Sequence, residues 1–190
     1  HAANPYHAAF AVLAALRYRR HTGRGMKIDL SQIESTANFV GPALVEAAAA
    51  GREPPQTGNR SREHAPHNVF RCKGDDAWVA IAVEGDAEWL ALAGAMGRQD
   101  LAGRADLRSA AGRLAAMAEL EAAVGAWTAE RTPVEVAGLL QNAGVAAARV
   151  ACSRDLIEED PQLAARGYWQ TLDHPEIGPA LFTSPPYTVD

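Results

Sequence analysis

Alternating apolar and polar positions predict several short strands in the second part of the chain. VFRC (69–72) and WVAIAV (78–83) indicate two strands joined by the turn KGDD. VAAARVA (145–151) predicts a buried strand, and YWQTLDHP (168–175) predicts a further strand before a tail rich in Pro and Gly. These strands alternate with stretches of helical periodicity. That alternation is typical of a compact α/β unit.

The first part of the chain has mainly helical patterning. A helix is predicted from His7 to Arg20, with an apolar side and cations in its last turn, and Gly23 ends it. MKIDLS (26–31) places alternate apolar residues on one face and predicts a short strand. Ser31, followed three positions later by an acid, predicts a capping box for a second helix that runs to about Ala50.

Helical periodicity and capping residues predict further helices between the strands. Asp86 is expected to cap the first of them, and Thr-Pro begins the third. The predicted helices are Asp86–Met96, Leu114–Thr128, Val134–Asn142 and a short one in DPQLAARG (160–167).

A stretch without periodicity separates the two parts. GREPPQTGNRSREHAPH (51–67) is rich in Pro, Gly and polar residues, which is typical of a linker or a functional loop. The sequence therefore predicts a helical segment at 1–50, a linker at 51–67 and a small α/β domain at 68–190. The small domain should hold a short, largely antiparallel sheet and several helices.

Composition narrows the class of protein. The 190 residues are 48% hydrophobic and 22% charged, which is enough apolar material to fill a core. A net charge of −5 and a pI near 5.7 argue against a nucleic-acid partner, which needs a basic footprint. No apolar run approaches the roughly 18 residues of a membrane span. Because the chain begins at His1 and becomes helical at once, we expect it to be a piece of a longer protein.

The two cysteines and six histidines give little chemistry. Cys72 and Cys152 are too few for a disulfide framework, which predicts a cytoplasmic protein. Both lie in or at the end of predicted strands, so both are expected to be buried, inert thiols. No His-x-x-x-His or Cys-x-x-Cys pair occurs, so no metal is expected. The glycines around Arg24 follow a helix and precede a predicted strand. That order is wrong for a dinucleotide fingerprint and indicates a turn. From the residues alone the chemistry stays undetermined.

Four segments in order resemble the family III CoA-transferases, the CaiB–BaiF family. They are HAAFAVLAALRYRRHTGRGMKIDLSQIES, GNRSREHAPHNVFRCKGDDAWVAIAVEGDAEWLAL, LLQNAGVAAARV and DPQLAARGYWQTLDHPEIG. The resemblance covers essentially the whole chain. It implies that 1–50 is the end of the N-terminal part of a large, Rossmann-like CoA-binding domain and that 68–190 is the small domain. It also implies an interlocked homodimer, or a pseudo-dimer of two fused halves.

The resemblance implies coenzyme A chemistry without a metal. In the transferases an Asp carboxylate attacks the acyl-CoA thioester, forms a mixed anhydride and then an aspartyl-CoA thioester, and passes CoA to an acceptor carboxylic acid. Relatives on the same scaffold are acyl-CoA racemases, which use acid–base chemistry instead. A third alternative is a catalytically degenerate half that supports a competent one.

The position that matches the family's Asp is His1. Three explanations are open at this point: the Asp lies just upstream, His1 is a genuine substitution, or His1 has an artificial origin. The resemblance also places the stretch 58–67 near the partner subunit's active site. Asn59, Arg60, His64 and His67 are therefore predicted to contact substrate or CoA, the alternative being that they only order the linker. Arg24 is predicted, with Arg17, Arg20 and Lys27, to meet CoA phosphates, the alternative being that these cations only compensate the end of the helix.

Overall fold

The structure, a computed structural model, describes residues 4–185 and 187 and divides the chain into two compact units. The first unit runs from His1 to Gln56 and the second from Thr57 to Asp190. The division falls inside the stretch 51–67 that the sequence predicts to be a linker. The assignment of the units to a large and a small domain stays a prediction.

The first unit is helical. Gly23 ends its long first helix in the left-handed conformation (φ 72°), and Ser31 begins the next by accepting from the backbone N–H of Glu34 at 3.2 Å. The predicted strand at 26–31 is wrong, because among the described residues of this unit no strand pairs with this segment. The elements are α1 (Asn4–Thr22), α2 (Gln32–Ala37), a 3₁₀ helix (Asn38–Val40) and α3 (Gly41–Ala50).

This unit has little core of its own. Among its described residues only Ser35 is buried, and its hydroxyl donates to the Asn4 side chain and to the Gln32 carbonyl. Tyr6, Phe10 and Leu13 of α1 are all exposed. The bonds of Ser35 therefore tie α1 to α2 without an apolar cluster beneath them.

The second unit is built on a three-stranded antiparallel sheet in the order β1-β2-β3. Its strands are β1 (His67–Arg71), β2 (Trp78–Ala82) and β3 (Ala146–Arg149), with Phe70 opposite Val79. Its helices are α4 (Asp86–Ala95), α5 (Gln99–Ala102), α6 (Ala110–Ala115), α7 (Met117–Thr128), α8 (Pro133–Asn142), α9 (Ser153–Glu158) and α10 (Pro161–Ala165), with a 3₁₀ helix at Asp106–Arg108. The predicted α/β class, with short antiparallel sheets and several helices, is confirmed.

One face of the sheet carries the core. Because side chains alternate along a strand, Phe70, Val79 and Ile81 point to the same side and are buried there. Helices α4, α7 and α8 cover this face with a largely aliphatic set and one indole. The main helical contributions are Trp89, Leu92, Leu120, Val124, Val136 and Leu140.

Local sequence sets the helix ends. Thr132 caps α8, and Glu135 completes the capping box by accepting from the Thr132 N–H at 2.8 Å. Two predictions need correction. Gly85 rather than Asp86 is the cap of α4, and the predicted helix Leu114–Thr128 is divided at Ala116 into α6 and α7.

A hairpin completes the second unit. The predicted strand forms β4 (Trp169–His174), and the Pro- and Gly-containing segment after it supplies a partner, β5 (Gly178–Thr183). The Trp169 indole N–H donates to the Leu156 carbonyl at 2.9 Å and so ties the hairpin to α9. Within residues 4–185 and 187, none of the helices has the length and apolarity that a membrane crossing requires.

Candidate functional site

The site is built around the loop 57–66, which leads into β1. Gly58 adopts a left-handed conformation (φ 63°), and the Arg60 N–H donates to the Thr57 carbonyl at 3.2 Å to close a turn. The Ser61 hydroxyl then accepts from the backbone N–H groups of Glu63 and His64 at 3.1 and 3.2 Å. Local hydrogen bonds therefore shape this loop, although it has no regular secondary structure.

Glu121 of α7 anchors the loop through Arg60. The guanidinium forms a two-point contact, with Nε to Oε1 at 2.8 Å and Nη2 to Oε2 at 2.6 Å. The side chain of Asn68, in β1, donates to the same carboxylate at 2.8 Å. The Arg60 and Asn68 bonds hold the pKa of Glu121 below its usual range. One half-buried carboxylate therefore joins the loop, the sheet and α7.

His67 makes a second contact with the loop. Its Nδ1 lies 2.9 Å from the carbonyl oxygen of Asn59. Because a carbonyl only accepts, Nδ1 carries the hydrogen in this contact. His67 is half-buried at the start of β1 and is held beside the loop by this bond.

The open face of the sheet forms a groove beside the loop. Its floor is the set of methyl groups from Ala80 and Ala82 of β2 and Ala146 and Ala148 of β3. We call this feature the alanine groove. Its volume is about 800 Å³, which lies within the 300–1,000 Å³ typical of small-molecule sites. The prediction that VAAARVA (145–151) forms a buried strand is therefore wrong. Its strand, β3, is only partly covered, because its alternate alanines face the groove.

The rim of the alanine groove is polar. Asn59, Arg60 and His67 lie along it on the loop side, and Gln141 of α8 lies on the other side. The Gln141 side-chain amide donates to the Ala147 carbonyl at 2.8 Å, which leaves its own oxygen as an acceptor. The groove thus combines an apolar floor with separate donors and acceptors on its rim.

The structure brings together some of the predicted site residues. Asn59, Arg60 and His67 line the alanine groove, whereas His64 lies outside its lining. Within the described part of the chain, His64 Nδ1 is buried without a hydrogen-bond partner, and Nε2 lies 3.9 Å from Glu63.

The remaining predicted site residues lie elsewhere. Arg24 belongs to the other unit and is exposed just after α1. His1 lies outside the described residues. The contact roles predicted for these side chains stay predictions.

Sequence reasoning missed Gln141 and the alanine floor. The available signal was the alternation of alanines in WVAIAV and VAAARV, since two small-residue rows on neighbouring strands make a shallow surface. Cys72 is buried as predicted, but the prediction for Cys152 is wrong. The Cys152 thiol is exposed because β3 ends at Arg149 and Cys152 is the cap of α9.

In the described part of the chain, no three His, Cys, Asp or Glu side chains converge as a metal site requires. The prediction of a metal-free protein stays a prediction. The residues that line the groove offer hydrogen bonds and apolar contact.

The second unit is an α/β unit with an open-faced sheet, a hydrogen-bonded entry loop and an apolar groove. The model of CoA-transferase family III matches residues 1–190. The chain belongs to CoA-transferase family III.

Two relatives show the breadth of the family. A probable CoA-transferase of Mycobacterium tuberculosis is 37% identical over 182 residues, covering 92% of this chain and 22% of its own length. A succinyl-CoA–D-citramalate CoA-transferase of Chloroflexus aurantiacus is 28% identical over 171 residues, covering 90% of this chain and 42% of its own length. The chain therefore spans less than half the length of either relative.

Solved structures agree on the fold. A CaiB/BaiF family protein from Brucella suis superposes with a TM-score of 0.80 at 22% identity, covering 97% of this chain and 51% of that protein. A second structure, of the protein Rv3272 from M. tuberculosis, gives a TM-score of 0.73 at 20% identity, with 99% and 46% coverage. At these identities the likeness supports the fold alone.

Proposed function

We propose that this chain is part of a CoA-transferase that moves CoA between carboxylic acids. The observation that carries the proposal is membership of CoA-transferase family III along all 190 residues. Relatives named as succinyl-CoA:mesaconate and succinyl-CoA–D-citramalate transferases support an acyl-CoA donor and a carboxylic acid acceptor. Coenzyme A enters as a substrate, and the proposed chemistry needs no metal.

The proposed mechanism is covalent exchange through an Asp carboxylate. The carboxylate attacks the acyl-CoA thioester, which gives an acyl-aspartyl anhydride and releases the CoA thiolate. The thiolate attacks the aspartyl carbonyl, giving aspartyl-CoA and the free acid, and the acceptor carboxylate repeats the two steps in reverse. An imidazole at His1 cannot form this anhydride, so the nucleophile must come from another position or another half.

The proposed contribution of the second unit is to bind the acyl-CoA beside that nucleophile. Asn59, Arg60 and His67 would contact it from the groove rim, and His64 from the loop. Arg24, an exposed cation of the first unit, would meet a CoA phosphate. Two free thiols support a cytoplasmic location.

Coverage of the relatives supports a two-half architecture. Similar aligned lengths make up 22% of the M. tuberculosis relative and 42% of the C. aurantiacus one, so the first is about twice as long as the second. We infer that this chain acts within an interlocked dimer or a pseudo-dimer of fused halves, in which a competent half supplies the nucleophile. The 190 residues alone are then expected to lack transferase activity.

Trapping the covalent intermediate tests the proposal. The 190-residue chain and the natural polypeptide that carries it are each incubated with succinyl-CoA, a panel of carboxylic acids and hydroxylamine. CoA exchange and a hydroxamate on an Asp, found by mass spectrometry of the natural polypeptide, would support transfer. Deuterium uptake next to the thioester without exchange would indicate a racemase instead. CoA exchange by the 190 residues alone would overturn the two-half inference.

A further inference from the structure

We propose that Glu121 and Arg113 are positioning residues for the transfer reaction, although neither side chain lines the alanine groove. The inference rests on the proposed function, in which the loop 57–66 carries residues that contact the acyl-CoA. Glu121 and Arg113 act on the substrate only through this loop, by holding it in one conformation before the substrate binds. Three observations carry the inference: where the loop is attached, which elements hold it, and how Arg113 is buried.

Two side chains from outside the loop hold it at two separate points. The Glu121 carboxylate accepts from Nε and Nη2 of Arg60 at 2.8 and 2.6 Å. Nε of Arg113 donates to the Ala65 carbonyl at 3.0 Å, near the end of the loop. A loop fixed at one point can still turn about that point. Two points of attachment to one scaffold define where the loop lies.

Both points of attachment belong to consecutive helices of the second unit. Arg113 lies in α6 and Glu121 in α7, and the two helices meet at Ala116. Leu120, the neighbour of Glu121 in the sequence, is completely buried in the core. Packed helices hold functional groups more precisely than a loop does by itself. Helices α6 and α7 together therefore form the scaffold that sets the position of the loop.

The burial of Arg113 argues for positioning rather than for packing. The side chain is completely buried, whereas its carboxylate partner Asp86, at 2.8 Å, is mostly exposed. Among the described residues, Nη2 of Arg113 has no hydrogen-bond partner. Because removal of a cation from water is unfavourable, core packing alone gives no reason for a guanidinium here. What the guanidinium supplies, and an apolar side chain cannot, is a directed donor to the Ala65 carbonyl.

Loss of either attachment should weaken substrate binding and leave the chemical step unchanged. A loop that is mobile in the free protein must become ordered when the substrate binds, so part of the binding free energy is used for ordering. In the bound complex the loop has regained its working conformation. The expected result is a raised KM with kcat retained. Loss of folded protein alone would instead lower the apparent kcat and leave KM unchanged.

Steady-state kinetics of the natural polypeptide that carries this chain test both roles, with succinyl-CoA as donor and a panel of carboxylic acids as acceptors. Glu121→Gln and Arg113→Met are each expected to raise KM for succinyl-CoA at least about fivefold and to keep kcat within about twofold. Glu130→Gln and Arg98→Met remove exposed charges of the same kinds and are the matched controls, with both constants unchanged.

The kinetic outcomes decide each residue separately. An unchanged KM in either variant, or a lowered kcat alone, would overturn the role of that residue. Arg113→Lys keeps a cationic donor without the planar fork, so its KM should lie between those of the parent and Arg113→Met. It also serves as the test should Arg113→Met fail to fold.

Backbone amide relaxation, measured by NMR on the 190-residue chain, separates this inference from the proposed function. In the parent chain the loop amides are expected to be as rigid as those of β2, with order parameters near about 0.85, and in Glu121→Gln and Arg113→Met to fall below about 0.6. A loop that is mobile in the parent, or equally rigid in the variants, would overturn the positioning roles whether or not transfer occurs. A parent polypeptide that exchanges no CoA would overturn the proposed function, and the relaxation data would still decide whether the two residues hold the loop.

Discussion

The Nε of Arg113 donates to the carbonyl oxygen of Ala65 at 3.0 Å, across 48 positions of the chain. Arg113 is completely buried, although it is a cation on the short helix α6. Its Nη1 also donates to the Leu107 carbonyl at 3.1 Å and to the carboxylate of Asp86 at 2.8 Å. A single guanidinium thus fixes the end of the loop 57–66 against the first turn of α4.

Replacing Arg113 should destabilise the second unit. Arg113→Met keeps most of the side-chain volume but leaves the carbonyls of Ala65 and Leu107 without their donor. We expect the free energy of unfolding to fall by about 2 kcal/mol. Urea denaturation followed by tryptophan fluorescence measures it, because all four tryptophans belong to this unit.

A surface arginine provides the control for that measurement. Arg98 pairs with Asp100 at 2.6 Å at an exposed site, so Arg98→Met should leave the free energy of unfolding nearly unchanged. Equal losses in the two variants would contradict the role assigned to the buried guanidinium.

Two helical glycines should respond in opposite directions to alanine. At Gly112 an added Cβ would overlap the carbonyl oxygen of Asp106, so Gly112→Ala should cost about 2–3 kcal/mol. At Gly138, in α8, nothing lies within 4 Å of such a Cβ, and Gly138→Ala should be neutral or stabilising by up to about 1 kcal/mol. The midpoints of thermal unfolding test the contrast. A tolerated Gly112→Ala would show that the 3₁₀ helix at Asp106–Arg108 is not held against α6 as described.

The two thiols should differ in reactivity. Cys152 is exposed, whereas Cys72 is buried in the core and burial raises its thiol pKa. In the native chain we expect one equivalent of thiol to react rapidly with a disulfide reagent such as DTNB, and the second to react only after unfolding. Cys152→Ser should abolish the rapid phase, while Cys72→Ala should retain it. Two rapid equivalents in the parent chain would contradict the burial of Cys72.

Local patterns predicted the parts of the fold that depend on neighbours in sequence. The hairpin of β1 and β2 and the capped helix α8 follow from alternation, turn residues and the Thr-Pro start. MKIDLS has equally good alternation but forms no strand, because a strand also needs a partner that the local pattern does not specify. The alanines of β3 are equally ambiguous, since small apolar residues suit a core and an open face alike.

The sequence indicated only those residues of the candidate site that lie close together along the chain. Asn59, Arg60 and His67 come from one stretch of loop, and the structure places all three on the groove rim. Their partners are distant: Glu121 lies 61 positions from Arg60, and Arg113 lies 48 from Ala65. Such pairs depend on how α6 and α7 pack against the sheet, which single-residue patterns do not report.

The bond between Arg60 and Glu121 makes stability depend on pH. Because Arg60 and Asn68 hold the pKa of Glu121 low in the folded chain, the unfolded chain binds more protons in acid. The stabilisation is complete above the ordinary Glu pKa of about 4.3 and is lost as pH falls from there through the lower folded value. Glu121→Gln should therefore cost about 1 kcal/mol at pH 7, and the gap from the parent chain should narrow below about pH 4.

Urea denaturation at a series of pH values measures this gap. Glu130→Gln serves as the control, because Glu130 is an exposed carboxylate 3.7 Å from Arg131 and should change stability by less than about 0.5 kcal/mol throughout. A gap for Glu121→Gln that stays constant from pH 7 to pH 3 would show that its carboxylate is not held by Arg60 and Asn68. The loop 57–66 would then have lost its contact with α7, and the rim of the alanine groove would no longer be preorganised.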